Sequence, residues 1–291
     1  MTSRARQPQA SEERNEMTAV TENHKTTEQV ENSGPVHGAE LVATNVNKVY
    51  SRAGQKFHAV EDVSVTIKPG EFVCIVGPSG CGKSTMMNMA TGLLEPTDGE
   101  LALDGEPIRG PSPDRGLVFQ KDSVFPWMKV IDNVTYGLKC RGVPKEERMS
   151  IARKFLAEVN LTHVEKSWPK ELSGGMLKRV AIATAFSNAP KLLLMDEPFA
   201  SVDYVTRLQL QKTVLDLWAE HRLTVMFVTH DVDEALTLAD RIIVMTNGRV
   251  VDDRRVAAER PRRLEALSTP TMLEHKASML QHLGLPTEGG A

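Results

Sequence analysis

Apolar and polar positions along the chain fall into three regimes. Residues 40–46 and 59–67 alternate apolar and polar, the signature of strands with one buried face. A Pro69-Gly70 turn leads into residues 71–76, an almost unbroken apolar run that reads as a strand buried on both faces. Glycines follow, and then a helical stretch from Lys83 to about Leu94, closed by Glu95-Pro96-Thr97-Asp98-Gly99. Asp104-Gly105 marks a hairpin within 99–108. From about 124 to 188 the period becomes helical, most clearly over 145–159 and 174–188. Strand-like runs return at 192–195, 223–228, 242–245 and 249–251, the last two joined by Asn247-Gly248. No internal repeat is visible. A β-rich opening, a helical insert and then alternating strands and helices predict an α/β core carrying a helical subdomain.

Composition narrows this picture. The 291 residues are 41% hydrophobic, enough for one large core. Residues 1–38 are rich in Glu, Thr, Ser and Asn with few aliphatic residues, so they are expected to form a disordered tail. Lys and Arg number 35 against 38 Asp and Glu, a net charge of −3, which argues against a broadly basic nucleic-acid binder. Three cysteines exclude a disulfide framework and suit a reducing compartment. No apolar run approaches the roughly 18 residues of a membrane span, and no apolar segment follows Arg4 and Arg6 as in a secretion signal. The expectation is a soluble, intracellular protein.

Three motifs carry candidate chemistry. Gly77-Pro78-Ser79-Gly80-Cys81-Gly82-Lys83-Ser84-Thr85 fits G-x-x-x-x-G-K-[ST] between an apolar strand and a helix. Glycines allow backbone N–H groups to converge on phosphate oxygens, and the helix directs its positive end at the same place. Lys83 is placed to reach terminal phosphates and Ser84 to offer a hydroxyl to Mg²⁺. Cys81 lacks a partner in sequence and reads as small filler in the loop. Four apolar residues, Leu192 to Met195, then end in Asp196-Glu197, two acids at a strand end. Asp196 suits a metal role and Glu197 the polarisation of a water as general base. Leu172-Ser173-Gly174-Gly175-Met176 opens a helix with Ser as N-cap, a second anion-binding end. Two phosphate-binding elements in one chain suggest a nucleotide held between two copies.

The order and spacing of these motifs resemble the nucleotide-binding subunit of an ATP-binding cassette (ABC) transporter, over roughly residues 40–260. The resemblance implies a P-loop NTPase cassette: a RecA-like core, an antiparallel β subdomain, and a helical subdomain near 121–188. The cassette would occupy 39–265, with a C-terminal helical extension over 266–291. It implies ATP and Mg²⁺ as ligands, a homodimer, integral membrane permease subunits, and indirectly a solute-binding protein. The place of work would be the cytoplasmic face of the membrane. It assigns Tyr50 to stacking on adenine, with Phe57 as the alternative. Gln120 becomes a ligand to Mg²⁺ and water. Ser173, Gly174 and Gly175 become the signature that acts on the partner's ATP. Asp203 falls in the loop before the next helix, and His230 contacts the γ-phosphate.

Two positions depart from the family pattern: Met176 stands where Gln is usual, and Val202 where Leu often precedes the Asp. The stretch Leu117-Val118-Phe119-Gln120, continuing to Phe125-Pro126-Trp127, resembles importers of the nitrate, sulfonate and taurine group, as do residues 203–207 and the tail from Arg260 onwards. Phe125 to Met128 either dock another protein's helix or pack the helical insert. Met272, Met279, Leu280 and Leu283 are amphipathic in spacing, so the tail either folds onto the cassette or stays loose.

The alternative is an ABC ATPase acting on nucleic acid or a soluble partner. Only 90 positions (173 − 83) separate Lys83 from Ser173, with no heptad run or cysteine cluster between them, and one phosphate loop is present. Both observations favour transport, with no nucleic acid involved.

Overall fold

The computed structural model describes residues 38–284 apart from 53, 122, 261 and 263. The expected N-terminal tail, residue 38 excepted, lies outside the described residues. In chain order, a long hairpin of β1 (Leu41–Arg52) and β2 (Gln55–Ile67) leads to β3 (Phe72–Val76) and α1 (Lys83–Thr91). Next come β4 (Asp98–Leu103), β5 (Glu106–Pro107) and β6 (Arg115–Val118). Three helices follow: α2 (Val130–Cys140), α3 (Lys145–Glu158) and α4 (Gly174–Ser187). The remainder is β7 (Leu192–Asp196), α5 (Tyr204–His221), β8 (Thr224–Thr229), α6 (Val232–Leu238), β9 (Arg241–Thr246), β10 (Arg249–Arg255) and α7 (Pro270–His282).

The strands build two sheets. One has the order β2-β1-β4-β5 and is antiparallel. The other has the order β10-β9-β3-β8-β7-β6, parallel from β9 to β6 with β10 antiparallel at its edge. Strand β3 shows why its sequence is apolar throughout. Phe72, Cys74 and Val76 face the helices α2–α7, whereas Val73 and Ile75 face α1 and the antiparallel sheet. A strand with a core on either face has no side left for polar residues.

Several boundaries differ from the sequence reading. β1 runs on past 46 because the alternation is broken by a bulge and then resumes. Asn45 and Asp62 both adopt positive φ there, and Asn45 Nδ2 donates to Asp62 Oδ1 at 2.9 Å. Helix α1 stops at Thr91 rather than near Leu94. Gly92 turns left-handed at φ 81°, and its N–H reaches the carbonyls of Asn88 and Met89. Strand β6 escaped the sequence reading, because four residues with two aliphatics carry too little period. Both hairpins marked by Asp104-Gly105 and Asn247-Gly248 form, with positive φ at all four residues.

The C-terminal helix folds onto the cassette. Met272 and Met279 are fully buried in the large core, and Lys276 reaches Asp233 on α6 at 2.8 Å. Phe125 packs against the Tyr136 ring at 4.9 Å, yet Trp127 remains 67% exposed.

Candidate functional site

Parallel strands place all their C-terminal ends on one sheet edge, and the loops leaving that edge form the site. The phosphate loop leaves β3, Phe119 and Gln120 leave β6, Glu197 leaves β7, and His230 leaves β8. Because β8 lies between β3 and β7, the His230 loop is flanked by the phosphate loop on one side and Glu197 on the other.

The phosphate loop is held by its glycines. Gly80 and Gly82 take φ of 81° and 106°, which side chains rarely adopt. A Cβ on Gly82 would lie 2.2 Å from the Ala59 carbonyl oxygen, whereas one on Gly80 would enter open space. The loop therefore packs tightly against β2 and opens outward at Gly80, the side on which the motif would place a phosphate. Pro78 and Ser79 lie exposed on that open side, and Cys81 is buried beneath it. Lys83 is buried, and its ammonium donates to the carbonyls of Gly77 and Pro78 at 2.7 and 2.9 Å. Ser84 and Thr85 begin α1, whose first turn carries no acid.

Ser84 Oγ and Asp196 Oδ1 stand 3.4 Å apart. Two adjacent oxygen ligands of an octahedral Mg²⁺ lie about 3 Å apart, so a small contraction fits the ion. Burial pushes the Asp196 carboxyl above its ordinary range, Glu197 adds to that shift, and Ser84 and Lys83 oppose it. Glu197 adopts φ 40°, unusual for a residue with a side chain, and its N–H donates to the Val228 carbonyl at 2.9 Å. This turn directs Glu197 Oε2 to His230 Nδ1 at 3.1 Å. Since the carboxylate only accepts, Nδ1 carries the proton and Nε2 is left for a ligand.

Ser173, Gly174 and Gly175 stand at the start of α4. The Ser173 hydroxyl accepts from the Met176 N–H at 3.3 Å. Gly175 lies so close to α5 that a Cβ would fall 2.6 Å from Thr206 Cγ2. Asp203 caps α5 by accepting from the Thr206 N–H at 3.0 Å, and hydrogen bonds from the Thr206 hydroxyl and then its N–H hold the carboxyl below the usual range. The signature and the Asp203 loop thus form one rigid corner. Gln120 is exposed, and its carbonyl accepts from Lys178, one turn into α4. Tyr50 and Phe57 face each other across the β1–β2 hairpin, both exposed, with the Lys48 ammonium 5.6 Å from the Tyr50 ring. They occupy the same face of the hairpin, so the structure presents both candidate aromatics together.

Four neighbours were not assigned a site role from sequence. Lys178 ties Gln120 to the signature helix. Arg207 pairs with Asp231 at 3.3 Å, and Glu234 is buried with Gln211 donating to it at 3.3 Å. Arg207, Asp231 and Glu234 line a cavity of about 50 Å³ behind Glu197 and His230. Burial raises the Glu234 carboxyl, partly offset by a hydrogen bond from Thr229. Lys178, Asp231 and Glu234 stand in no motif, and Arg207 falls in the 203–207 stretch of family likeness; the adjacency of Asp231 to His230 was the other available signal.

A phosphate loop, paired acids at a strand end and a helical insert on an α/β core define a nucleotide-hydrolysing cassette. The family model described as ABC transporter matches residues 60–200. An uncharacterised ABC transporter ATP-binding protein of Methanocaldococcus jannaschii is 42% identical over 84% of this chain and 91% of its own. The bicarbonate transport ATP-binding protein CmpD of Synechococcus elongatus is 43% identical over 74% of this chain and 78% of its own. The nitrate import ATP-binding protein NrtD of the same species is 42% identical, with coverage of 76% and 83%.

Among solved structures, the dimeric ABC transporter cassette MJ0796 superposes with a TM-score of 0.68 at 33% identity, covering 75% of this chain and all of its own. Its post-hydrolysis state bound to ADP and Pi gives 0.67 at 31%, with the same coverage. The chain belongs to the ABC transporter family and is an ATP-binding, ATP-hydrolysing subunit of the group that includes nitrate and bicarbonate ATP-binding subunits.

Proposed function

We propose that this ATPase powers uptake of a small anionic solute, of the nitrate, bicarbonate, sulfonate or taurine type, through a membrane permease. The observation that carries the catalytic part is the contact between Glu197 and His230 at the edge where the phosphate loop opens. The solute class rests on the CmpD and NrtD likeness and on the Phe125-Pro126-Trp127 stretch after Gln120. Two copies work as a homodimer at the cytoplasmic face of the membrane. A solute-binding protein delivers cargo to the far side. We take 39–265 as the cassette, 121–188 as its helical part and 266–291 as the extension; α2, α3 and α4 fall inside the second of these ranges.

In this reading the γ-phosphate enters the opening at Gly80, and Lys83 turns from its two carbonyls to the phosphate oxygens. Tyr50, with Phe57 beside it, stacks the adenine. Ser84, Asp196 and Gln120 would hold Mg²⁺, which neutralises developing charge on the phosphates when bound. Glu197 takes a proton from the attacking water while His230 Nδ1 fixes its carboxylate, leaving Nε2 to face the γ-phosphate. Ser173 and Gly175 of one copy close on the nucleotide of the other. The Gln120–Lys178 contact ties Gln120 to the signature helix, and the permease docks on the exposed surface around Trp127 that follows Gln120 in sequence.

The test uses Glu197→Gln with saturating MgATP. The variant is expected to bind ATP, to hydrolyse it at least 100-fold more slowly, and to elute as a dimer. A strictly monomeric Glu197→Gln protein under those conditions overturns the dimeric mechanism. Wild-type ATPase that does not respond to membranes holding the cognate permease overturns the transport role.

A further inference from the structure

Away from the nucleotide edge, α3 and α5 meet at their C-terminal ends in a cluster of Glu158, Glu220 and His221. One ligand atom from each lies within 4.8 Å of the others. Glu158 Oε2 and His221 Nε2 are themselves shut off from solvent and make no hydrogen bond among the described residues, although their side chains are 19% and 22% exposed. They face one another at 3.6 Å, an ion pair when the imidazole is protonated but longer than a hydrogen bond. With no hydrogen bond to either atom, the lone pairs of the carboxylate oxygen and of a neutral imidazole nitrogen are left open to a shared ligand.

The spacing has a direct chemical reading. Two ligands held about 2.1 Å from a tetrahedral ion lie about 3.4 Å apart, close to the observed separation. One imidazole nitrogen with two carboxylates is a donor set that suits zinc and neighbouring divalent transition ions. The imidazole is also pre-set. Its ring packs against Phe155 of α3 at 5.1 Å and Phe186 of α4 at 6.2 Å, so it is wedged by apolar contacts.

A resident cation already stands at the rim. Lys154 Nζ lies 3.0 Å from Glu220 Oε1 and 3.5 Å from Glu158 Oε1. Its side chain is mostly exposed, so it can swing into water when another cation arrives. It contacts the outer oxygens and leaves the inner carboxylate–imidazole pair without a hydrogen bond.

We propose that Glu158, Glu220 and His221 form a binding site for a divalent transition-metal ion of the zinc type, which staples the end of α3 to the end of α5. Glu158 lies on the three-helix segment, whereas Glu220 and His221 end a helix packed on the parallel sheet. A bound ion therefore joins the helices that carry the signature to the sheet that carries the phosphate loop. The site is independent of the catalytic reading given above.

The experiment titrates full-length, nucleotide-free protein with Zn²⁺ in excess Mg²⁺ by calorimetry, alongside zinc X-ray absorption. Wild type is expected to take up one zinc with a shell of one imidazole and oxygens. Glu220→Gln and His221→Gln are each expected to weaken it at least tenfold, and Lys154→Gln to tighten it several-fold by removing the competing ammonium. Should His221→Gln fail to fold, the exposed Glu220→Gln and Lys154→Gln variants decide. Unchanged affinity in Glu220→Gln, equal or weaker binding in Lys154→Gln, or sulfur in the zinc shell overturns the proposal.

Discussion

His230 Nδ1 lies 3.1 Å from Glu197 Oε2, although 33 residues separate them in sequence. The contact exists because β7 and β8 are parallel neighbours that end side by side. Glu197 is mostly buried and His230 mostly exposed, so the histidine closes over the acid from the solvent side. If the pair acts as a unit, its two losses will not multiply. Glu197→Gln is expected to reduce kcat about 10² to 10⁴-fold. His230→Ala should cost less, about 10 to 100-fold, with KM for ATP nearly unchanged. The double variant should be no slower than Glu197→Gln alone. Steady-state kinetics on the three proteins checks this, and multiplicative losses would show that the residues act separately.

Legibility in the sequence followed how local the physics is. The loop at 77–85 stood out because its glycines, Lys83 and Ser84 are contiguous and fit one motif. The buried strands β3, β7 and β8 were readable because a core on both faces leaves no polar position. Strand β6 was not, since at four residues its identity rests on pairing with β7, a partner more than 70 positions away. The bulge at Asn45 hid the second half of β1, because a register shift breaks the alternation by which strands are read. In the site, Glu197 and His230 came from motif order, whereas the links of Lys178 to Gln120 and of Arg207 to Asp231 needed coordinates. Long polar side chains bridging distant elements leave no period. The tail's fate was equally undecided in one dimension: only the packing of α7 against α6, β9 and β10 shows where Met272 and Met279 go.

Gly80 and Gly82 share a backbone conformation but not surroundings, so alanine should harm them differently. At Gly82 a Cβ would collide with the Ala59 carbonyl oxygen, and the loop or β2 must move. Gly82→Ala is expected to lose about 2–4 kcal/mol of stability through strain and overpacking together. At Gly80 a Cβ meets only open space, so Gly80→Ala should lose about 1–2 kcal/mol from its left-handed backbone. It should nevertheless weaken ATP binding at least tenfold, because its methyl group enters the phosphate cradle. Chemical denaturation beside nucleotide titration separates the two. Equal stability losses would show that the loop does not press on β2 as observed.

Asp196 pits stability against function. Burial raises its carboxyl in the folded state, so the ionised form carries a cost that the unfolded chain does not. The sign follows: the penalty is absent at acid pH, where the group is protonated in both states. It grows as pH rises through the raised folded-state value. Asp196→Asn removes the charge and should melt at a higher temperature than wild type at pH 7 to 8. That advantage should shrink as pH falls into the carboxylate range. On the proposal that Asp196 helps to hold Mg²⁺, hydrolysis should fall at least 100-fold. Melting curves across pH check the first part; a variant less stable than wild type at pH 8 would show that the charge is well compensated.

Arg262 fastens the chain after β10 to the helix behind His230. Its guanidinium is buried and donates to the carbonyls of Leu236 and Ala239 at the end of α6, and to those of Val256 and Ala258. Burial pushes it down to about 10, which still leaves it charged at neutral pH. Four carbonyls in two directions require the planar fork of arginine; a lysine ammonium is one compact donor and cannot span them. Arg262→Lys is therefore expected to leave at least two carbonyls unsatisfied and to cost about 2–4 kcal/mol. The loosened element is α6, whose first turn is capped by Asp231 beside His230. ATPase activity should therefore decline at temperatures well below the global melting point. Thermal unfolding measured in parallel with activity tests this: equal losses in both would make Arg262 a plain stabiliser, and a wild-type melting temperature would show that its four bonds contribute nothing.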